Sequence, residues 1–235
     1  MRNYIELNGV NSQTIQGLLI QELPPITKPK MRTSIEEIDG RNGNIITELG
    51  YSAYNKSILI GLYGDFDIDQ IIAYFNSSGT VVFSNEEDKY YNYNIIDQID
   101  FERLIRFRQA TVTMNVQPFK YSLNDNSKTY SIDDETSISI TNAGNIYSKP
   151  ILTITGTGTL NITVNDTQIF QIALGDTSST IIIDTDKMEA YYGDTLLNRN
   201  VIGDYDNFKL KIGSNTISWT GTITEINIQN YSRWI

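Results

Sequence analysis

The sequence has 235 residues, 40% hydrophobic and 20% charged, with a formal net charge of −10 and neither Cys nor His. The missing Cys excludes disulfides, thiol chemistry and Cys-ligated zinc, and the missing His removes the Ser-His-Asp triad, His-ligated metals and the usual general base. There are 11 basic and 15 acidic residues in 1–120, and 7 and 13 in 121–235; neither half carries the concentrated basic surface that nucleic-acid binding needs.

Along the chain, Met1–Gln13 holds no apolar run. No segment approaches the ~20 apolar residues of a membrane helix, so neither a signal peptide nor membrane insertion is expected. Tyr4–Leu7, Leu18–Leu23 and Met31–Ile38 read as strands; Asn8-Gly9 is a hairpin signal and Pro24-Pro25 ends pairing. Asp39-Gly40-Arg41-Asn42-Gly43 suits a hairpin tip with left-handed positions. Ser57–Leu62 alternates as a strand. The single expected helix is Asp67–Asn76, capped by Asp65 or Asp67, stopped at Ser77-Ser78-Gly79, with Ile68, Ile71, Ile72 and Phe75 on its buried face. An EF-hand reading of Asp65, Asp67 and Asp69 fails, because Gln70 and Asn76 stand where Gly and Glu are required. No metal or cofactor is expected.

Thr80–Ser84 and the Tyr-rich Lys89–Ile99 read as further strands. Leu104–Gln117 reads as the longest, with Ala110, Val112, Met114 and Val116 on one face. Ile105 and Phe107 sit in the opposite phase and suggest a bulge near Arg108. Arg103, Arg106 and Arg108 then give this strand a basic side. Together with Arg41 they are the candidate oligomer-interface residues, able to meet acidic groups of a neighbouring subunit; the alternative is that all four are solvated side chains.

Residues 121–135 are polar, with turns at Asn124-Asp125-Asn126 and Asp133-Asp134-Glu135, and read as a linker. Beyond it the sequence is all β: Thr136–Thr141, Pro150–Thr155, Thr159–Val164, Gln168–Leu174, Thr180–Asp184, Glu189–Tyr192, Phe208–Ile212, Thr216–Trp219 and Thr222–Gln229, with hairpin turns at Asn165-Asp166 and Gly213-Ser214-Asn215. This spacing predicts an antiparallel sandwich. Asn142–Asn145 forms a polar corner in which Gly144 can supply a positive φ, and Pro150 opens the next strand without losing a ladder bond. Gly156-Thr157-Gly158 lacks the third glycine and the helix of a dinucleotide site. Asp184/Asp186 and Asp204/Asp206 are carboxylate pairs of the kind glycoside hydrolysis uses, although turns explain them more simply.

Taken together, two sets of motifs resemble one family. Asn142-Ala-Gly144-Asn145, Ser148-Lys-Pro150, Ile154-Thr-Gly156-Thr-Gly158, Asn165-Asp166, Ile182-Ile183-Asp184, Asn207-Phe208-Lys209-Leu210, Gly213-Ser-Asn215-Thr-Ile217 and Arg233-Trp234 resemble the galectin-like domain of siphophage distal tail (Dit) proteins. Gly17-Leu18, Pro24, Asp39–Gly43, Tyr51, the helix and the long strand ending at Pro118 resemble their belt domain.

The resemblance implies a mainly β protein of two domains, a belt domain with one helix over 1–120 and a galectin-like sandwich over 121–235. It implies a hexameric ring, single or stacked as a double ring, at the distal end of a long non-contractile tail. Such a ring is a structural hub without enzymatic activity, joining the tail tube to the tail-associated tip protein and in many members to the receptor-binding apparatus. Assembly in the cytoplasm of the bacterial host and a final place in the virion follow from the same likeness. The alternative is a carbohydrate-binding sandwich for host-surface attachment; against it, the His of a galectin site is missing and Trp219-Thr-Gly221 lacks the acidic residue expected after the tryptophan.

Overall fold

The computed structural model describes residues 2–125, 127–132 and 135–235. The chain forms two compact units, Met1–Leu123 with Ile235, and Asn124–Trp234. Asn126 and the turn expected at Asp133-Asp134 lie outside the described residues.

The first unit contains β1 (Ile5–Leu7), β2 (Val10–Asn11), β3 (Leu18–Glu22), β4 (Met31–Glu37), β5 (Asn44–Tyr51), β6 (Tyr54–Leu62), α1 (Ile68–Phe75), β7 (Ser78–Phe83), β8 (Lys89–Asn94), α2 (Phe101–Phe107) and β9 (Gln109–Ser122). Its main sheet is antiparallel in the order β2-β1-β7-β8-β9-β6-β3, while β4 and β5 pair only with each other. Asn8 and Gly9 both take positive φ between β1 and β2, the primed turn whose twist matches the flanking strands. Alternation buries Ala110, Val112, Met114 and Val116 of β9 against Ile58 and Ile60 of β6.

α1 closes this core. Asp67 caps it, Oδ1 accepting from the amides of Asp69 and Gln70 at 3.0 and 3.2 Å. The buried face is Ile71, Tyr74 and Phe75, whereas Ile72 is exposed. Tyr74 takes the expected place of Ile72 because its hydroxyl reaches Ile5 O and Val10 O at 3.2 and 3.1 Å, so a polar tip is satisfied inside an apolar layer.

Three expectations, two in this half and one at the junction, need correction. The segment around Leu104 is a helix, so the first unit has two. Strand β9 does not end at Pro118 but runs to Ser122. Its register with β8 shifts between Tyr93↔Val116 and Tyr91↔Lys120, a bulge that takes the proline out of the ladder. The expected linker contains a strand, because Lys128–Ser131 pairs with Glu225–Ile228.

The second unit comprises β10 (Lys128–Ser131), β11 (Ser137–Asn142), β12 (Ile151–Val164), β13 (Thr167–Ala173), β14 (Ser179–Asp184), β15 (Glu189–Tyr192), β16 (Thr195–Leu196), β17 (Val201–Gly203) and β18 (Gly213–Gln229). They form one nine-stranded antiparallel sheet that curls into two layers, because β12 and β18 belong to both. Ile151–Gly156 pairs with β14 and with the far half of β18; Asn161–Val164 pairs with β13 and the near half.

The bend falls where the register shifts, at Thr155/Gly156 and Thr157/Asn161. There a Cβ on Gly156 would collide with Thr222 O, and one on Gly221 would stand 2.5 Å from Thr159 O. The strand breaks expected at Gly156–Gly158 and Thr220–Gly221 are therefore corners within continuous strands, made by glycine because two backbones touch. The turn expected at Gly213–Asn215 is likewise the start of β18, and Phe208–Ile212 contributes only a bridge from Leu210 to Ser148. Gly144 has no positive φ; it is glycine because any Cβ would strike Arg233 O. Asn142 is buried and knits this corner, donating to Ile146 O and Leu210 O at 2.9 and 3.1 Å and accepting from Gly144 N at 2.9 Å.

Candidate interaction surface

Among the described residues no cluster of acidic, His or Cys side chains could hold a metal ion, and no helix is long and apolar enough to cross a membrane. The carboxylate pairs build turns. Asp184 Oδ1 accepts from the amides of Asp186 and Lys187 at 3.1 and 2.9 Å, and Asp204 Oδ1 from those of Asp206 and Asn207 at 2.9 and 3.3 Å. Lys149 brings the two turns together, 4.0 Å from Asp186 and 3.5 Å from Asp206. The Asp184 carboxylate beside Lys187 raises that lysine's pKa, mainly by hydrogen bonding. Trp219 is 4% exposed, inside the apolar core of the second unit, so it offers no ring to stack on a sugar.

What the molecule presents to solvent is more informative. Helix α2 starts at Asp100, whose Oδ1 accepts from Arg103 N at 2.8 Å, and Glu102 pairs with Arg106 one turn on at 2.7 Å. Leu104 alone is buried; Ile105, Arg106 and Phe107 all face solvent. Arg108 ends the helix in the left-handed conformation at φ 58, and its guanidinium lies 4.7 Å from the centre of the Phe66 ring. The expected basic strand is thus a basic helix with an arginine cap, and the phase change at Arg108 is a helix–strand boundary rather than a bulge. The signal that could have revealed it is Asp100 as cap with Glu102 and Arg106 four apart; the apolar–Arg alternation through 104–108 hid it.

Arg41 stands at the tip of the β4–β5 arm, between Gly40 and Gly43 at φ 78 and φ 80. It is not brought to α2 within the described contacts. The arm leaves Ile35, Ile38, Ile46 and Leu49 exposed. Its root is anchored to the body: Lys56 Nζ donates to Pro25 O at 2.9 Å and Asn85 Nδ2 to Pro24 O at 3.1 Å.

Beneath that root lies a buried cluster. Lys56 Nζ is 5.6, 5.8 and 5.0 Å from the ring centres of Tyr54, Phe83 and Tyr91. Glu86 pairs with the largely buried Lys120 and accepts the Tyr91 hydroxyl at 2.8 Å. Burial lowers the Lys56 pKa to about 8, with Lys120 adding to the fall and Glu86 opposing it. Burial followed by the hydrogen bond to Glu86 raises that of Tyr91.

The fold is that of the Dit protein of phage SPP1, described as a paradigm of hub adsorption apparatus in phages infecting Gram-positive hosts. The likeness spans 98% of this chain and 100% of that one, at a TM-score of 0.64 and 15% identity. Chains of the phage P2 baseplate in its activated conformation align over 97% of both, with TM-scores of 0.46 in the calcium form and 0.48 in the strontium form, at 10% and 11% identity. No family model and no curated protein sequence matches the chain.

Proposed function

We propose that this protein is a non-enzymatic hub of a phage tail tip, assembling into a hexameric ring, single or stacked, that joins the tail tube to the tail-associated tip protein. The observation that carries the reading is the end-to-end correspondence with SPP1 Dit, covering both units rather than one shared domain. In this reading 1–120 is the ring-forming belt domain, and 121–235 is a galectin-like domain facing outward and open to a receptor-binding protein. The ring is assembled in the host cytoplasm and ends at the distal tip of the virion's tail.

The physical chemistry agrees with the assignment. A two-stranded hairpin is marginally stable alone in water, and one that exposes four large aliphatic residues calls for a partner surface. Arg41, Arg103 and Arg106 are exposed in a chain of net charge −10, suited to register with acidic groups of a neighbour. Trp219, the ring that a galectin-like sugar site would use, is buried at 4% exposure.

Light scattering on the purified full chain tests the proposal. Six chains of 26.6 kDa give about 160 kDa, or twice that for a stacked pair of rings, and negative-stain images should show a central hole. A protein that stays monomeric at micromolar concentration, both alone and with its tube and tip proteins, overturns it.

A further inference from the structure

We infer that the β4–β5 arm of one copy docks on helix α2 of the next, the Ile35–Ile46 pair against Phe107, with Glu37 and Glu48 of the arm facing Arg103 and Arg106 of the helix. The inference rests on the ring reading and deepens it by naming the two surfaces that meet.

The arm's register puts Ile35 opposite Ile46, Thr33 opposite Glu48 and Glu37 opposite Asn44. Directly opposed residues share a face, so one side of the arm is an Ile35–Ile46 pair bracketed by two carboxylates. Those isoleucines are 57% and 62% exposed, and the arm has no second layer to cover them. Helix α2 presents the matching object with opposite charge. Phe107 is 73% exposed and lines a surface groove with Arg103, one turn before it, and with Arg106, Asp100 and Glu102; Ile105, two residues from Phe107, points to another face of the helix.

Charge complementarity selects this occupant. In a chain with 28 acidic and 18 basic side chains, residues 100–108 carry Arg103, Arg106 and Arg108 against Asp100 and Glu102, with Asp100 engaged by Arg103 N; this net positive segment is the counterpart that an acidic, apolar arm face needs. The existing Arg106–Glu102 pair does not block it, since both side chains are about 70% exposed and an exposed pair one helical turn apart is worth little. Arg103 makes no ion pair among the described residues, so it is open to a carboxylate from outside. The two patches differ, and each copy carries one of each. The contact is therefore head-to-tail, the kind that repeats around a closed ring. The isoleucines and Phe107 supply affinity, while the four charges set register.

Sedimentation velocity on the full chain tests the pairing with three variants: Arg103→Glu with Arg106→Glu, Glu37→Arg with Glu48→Arg, and all four together. Each double reversal should raise the concentration for half-assembly at least about tenfold, with thermal transitions unchanged. The fourfold variant should restore assembly and its sensitivity to salt. Because the chain has no Cys, Ile46→Cys with Phe107→Cys gives an independent readout: oxidation should produce a covalent ladder of copies. Double reversals that assemble normally, a fourfold variant that stays apart, or a disulfide within one copy would each refute the arm–helix contact while the ring reading stood. A wild-type chain that never assembles, alone or with its tail partners, removes the ring reading and this inference together.

Discussion

Replacing Lys56 with Met should stabilise the first unit at neutral pH, although it deletes a hydrogen bond. Lys56 is 3% exposed, and burial takes its pKa from 10.5 to about 8. A shift of that size is worth about 3 kcal/mol of disfavoured charge. Methionine has similar length, fills the pocket under Tyr54, Phe83 and Tyr91, and carries no charge. It loses the bond to Pro25 O, about 1 kcal/mol, and a cation–ring attraction of about 0.5–1 kcal/mol. The net expectation is roughly 1–2 kcal/mol of stabilisation at pH 7, or about 3–8 °C in the melting of a unit of this size.

The pH dependence distinguishes this cause from better packing. Below pH 8 the folded and unfolded lysines are both protonated and the burial penalty is fully present. Between pH 8 and 10.5 the unfolded chain binds more protons than the folded one, so this group's contribution to wild-type stability rises with pH. The advantage of Lys56→Met should be widest at pH 7, shrink above pH 8, vanish near pH 9 and turn into a deficit of about 1–2 kcal/mol by pH 10.5. Trp219 lies in the apolar core of the second unit, so in a Trp234→Phe background fluorescence tracks that unit. Calorimetry with near-UV dichroism of the tyrosines should follow the first. A variant less stable than wild type at pH 7, or an advantage that grows with pH, would show that the ring cage favours the charged lysine and refute the argument.

Four further outcomes are expected. Glu86→Gln leaves Lys120 buried without its counter-charge and weakens the acceptor of the Tyr91 hydroxyl, and should lower the calorimetric stability of the first unit by about 3–5 kcal/mol. Asn142→Ala strips three hydrogen bonds from the corner that holds Gly144 and Leu210, a loss of about 2–4 kcal/mol in urea melts followed by tryptophan fluorescence. Gly221→Ala should cost more than Gly158→Ala, because a Cβ at 221 meets Thr159 O at 2.5 Å while one at 158 meets nothing within 4 Å; the latter loses only about 1–2 kcal/mol for its left-handed backbone, and equal melting temperatures would contradict the corner argument. Calorimetric titration with host-wall polysaccharide should give no saturable heat, and a micromolar sugar ligand would reopen the carbohydrate-binding reading.

Much of this protein follows from local chemistry. Asn8-Gly9 and Asn165-Asp166 make their turns, Asp67 caps its helix, and alternation assigns β6, β9 and β12 their buried faces, because turn geometry and periodicity act over a few residues. The missing His and Cys removed whole classes of chemistry before any fold was known. Tertiary structure decided what depends on distant neighbours. Gly144, Gly156 and Gly221 look like breaks, but they are glycines because Arg233, Thr222 and Thr159 backbones pass beside them. Residues 101–107 alternate well enough to read as a strand, yet Leu104 finds a buried site and Asp100 a capping role, so they fold as a helix that redirects Arg103 and Arg106. Nor does local sequence tell that Lys56 enters a cage of rings, or that Ile35 and Ile46 remain uncovered; burial is set by what the rest of the chain brings to each side chain, or fails to bring.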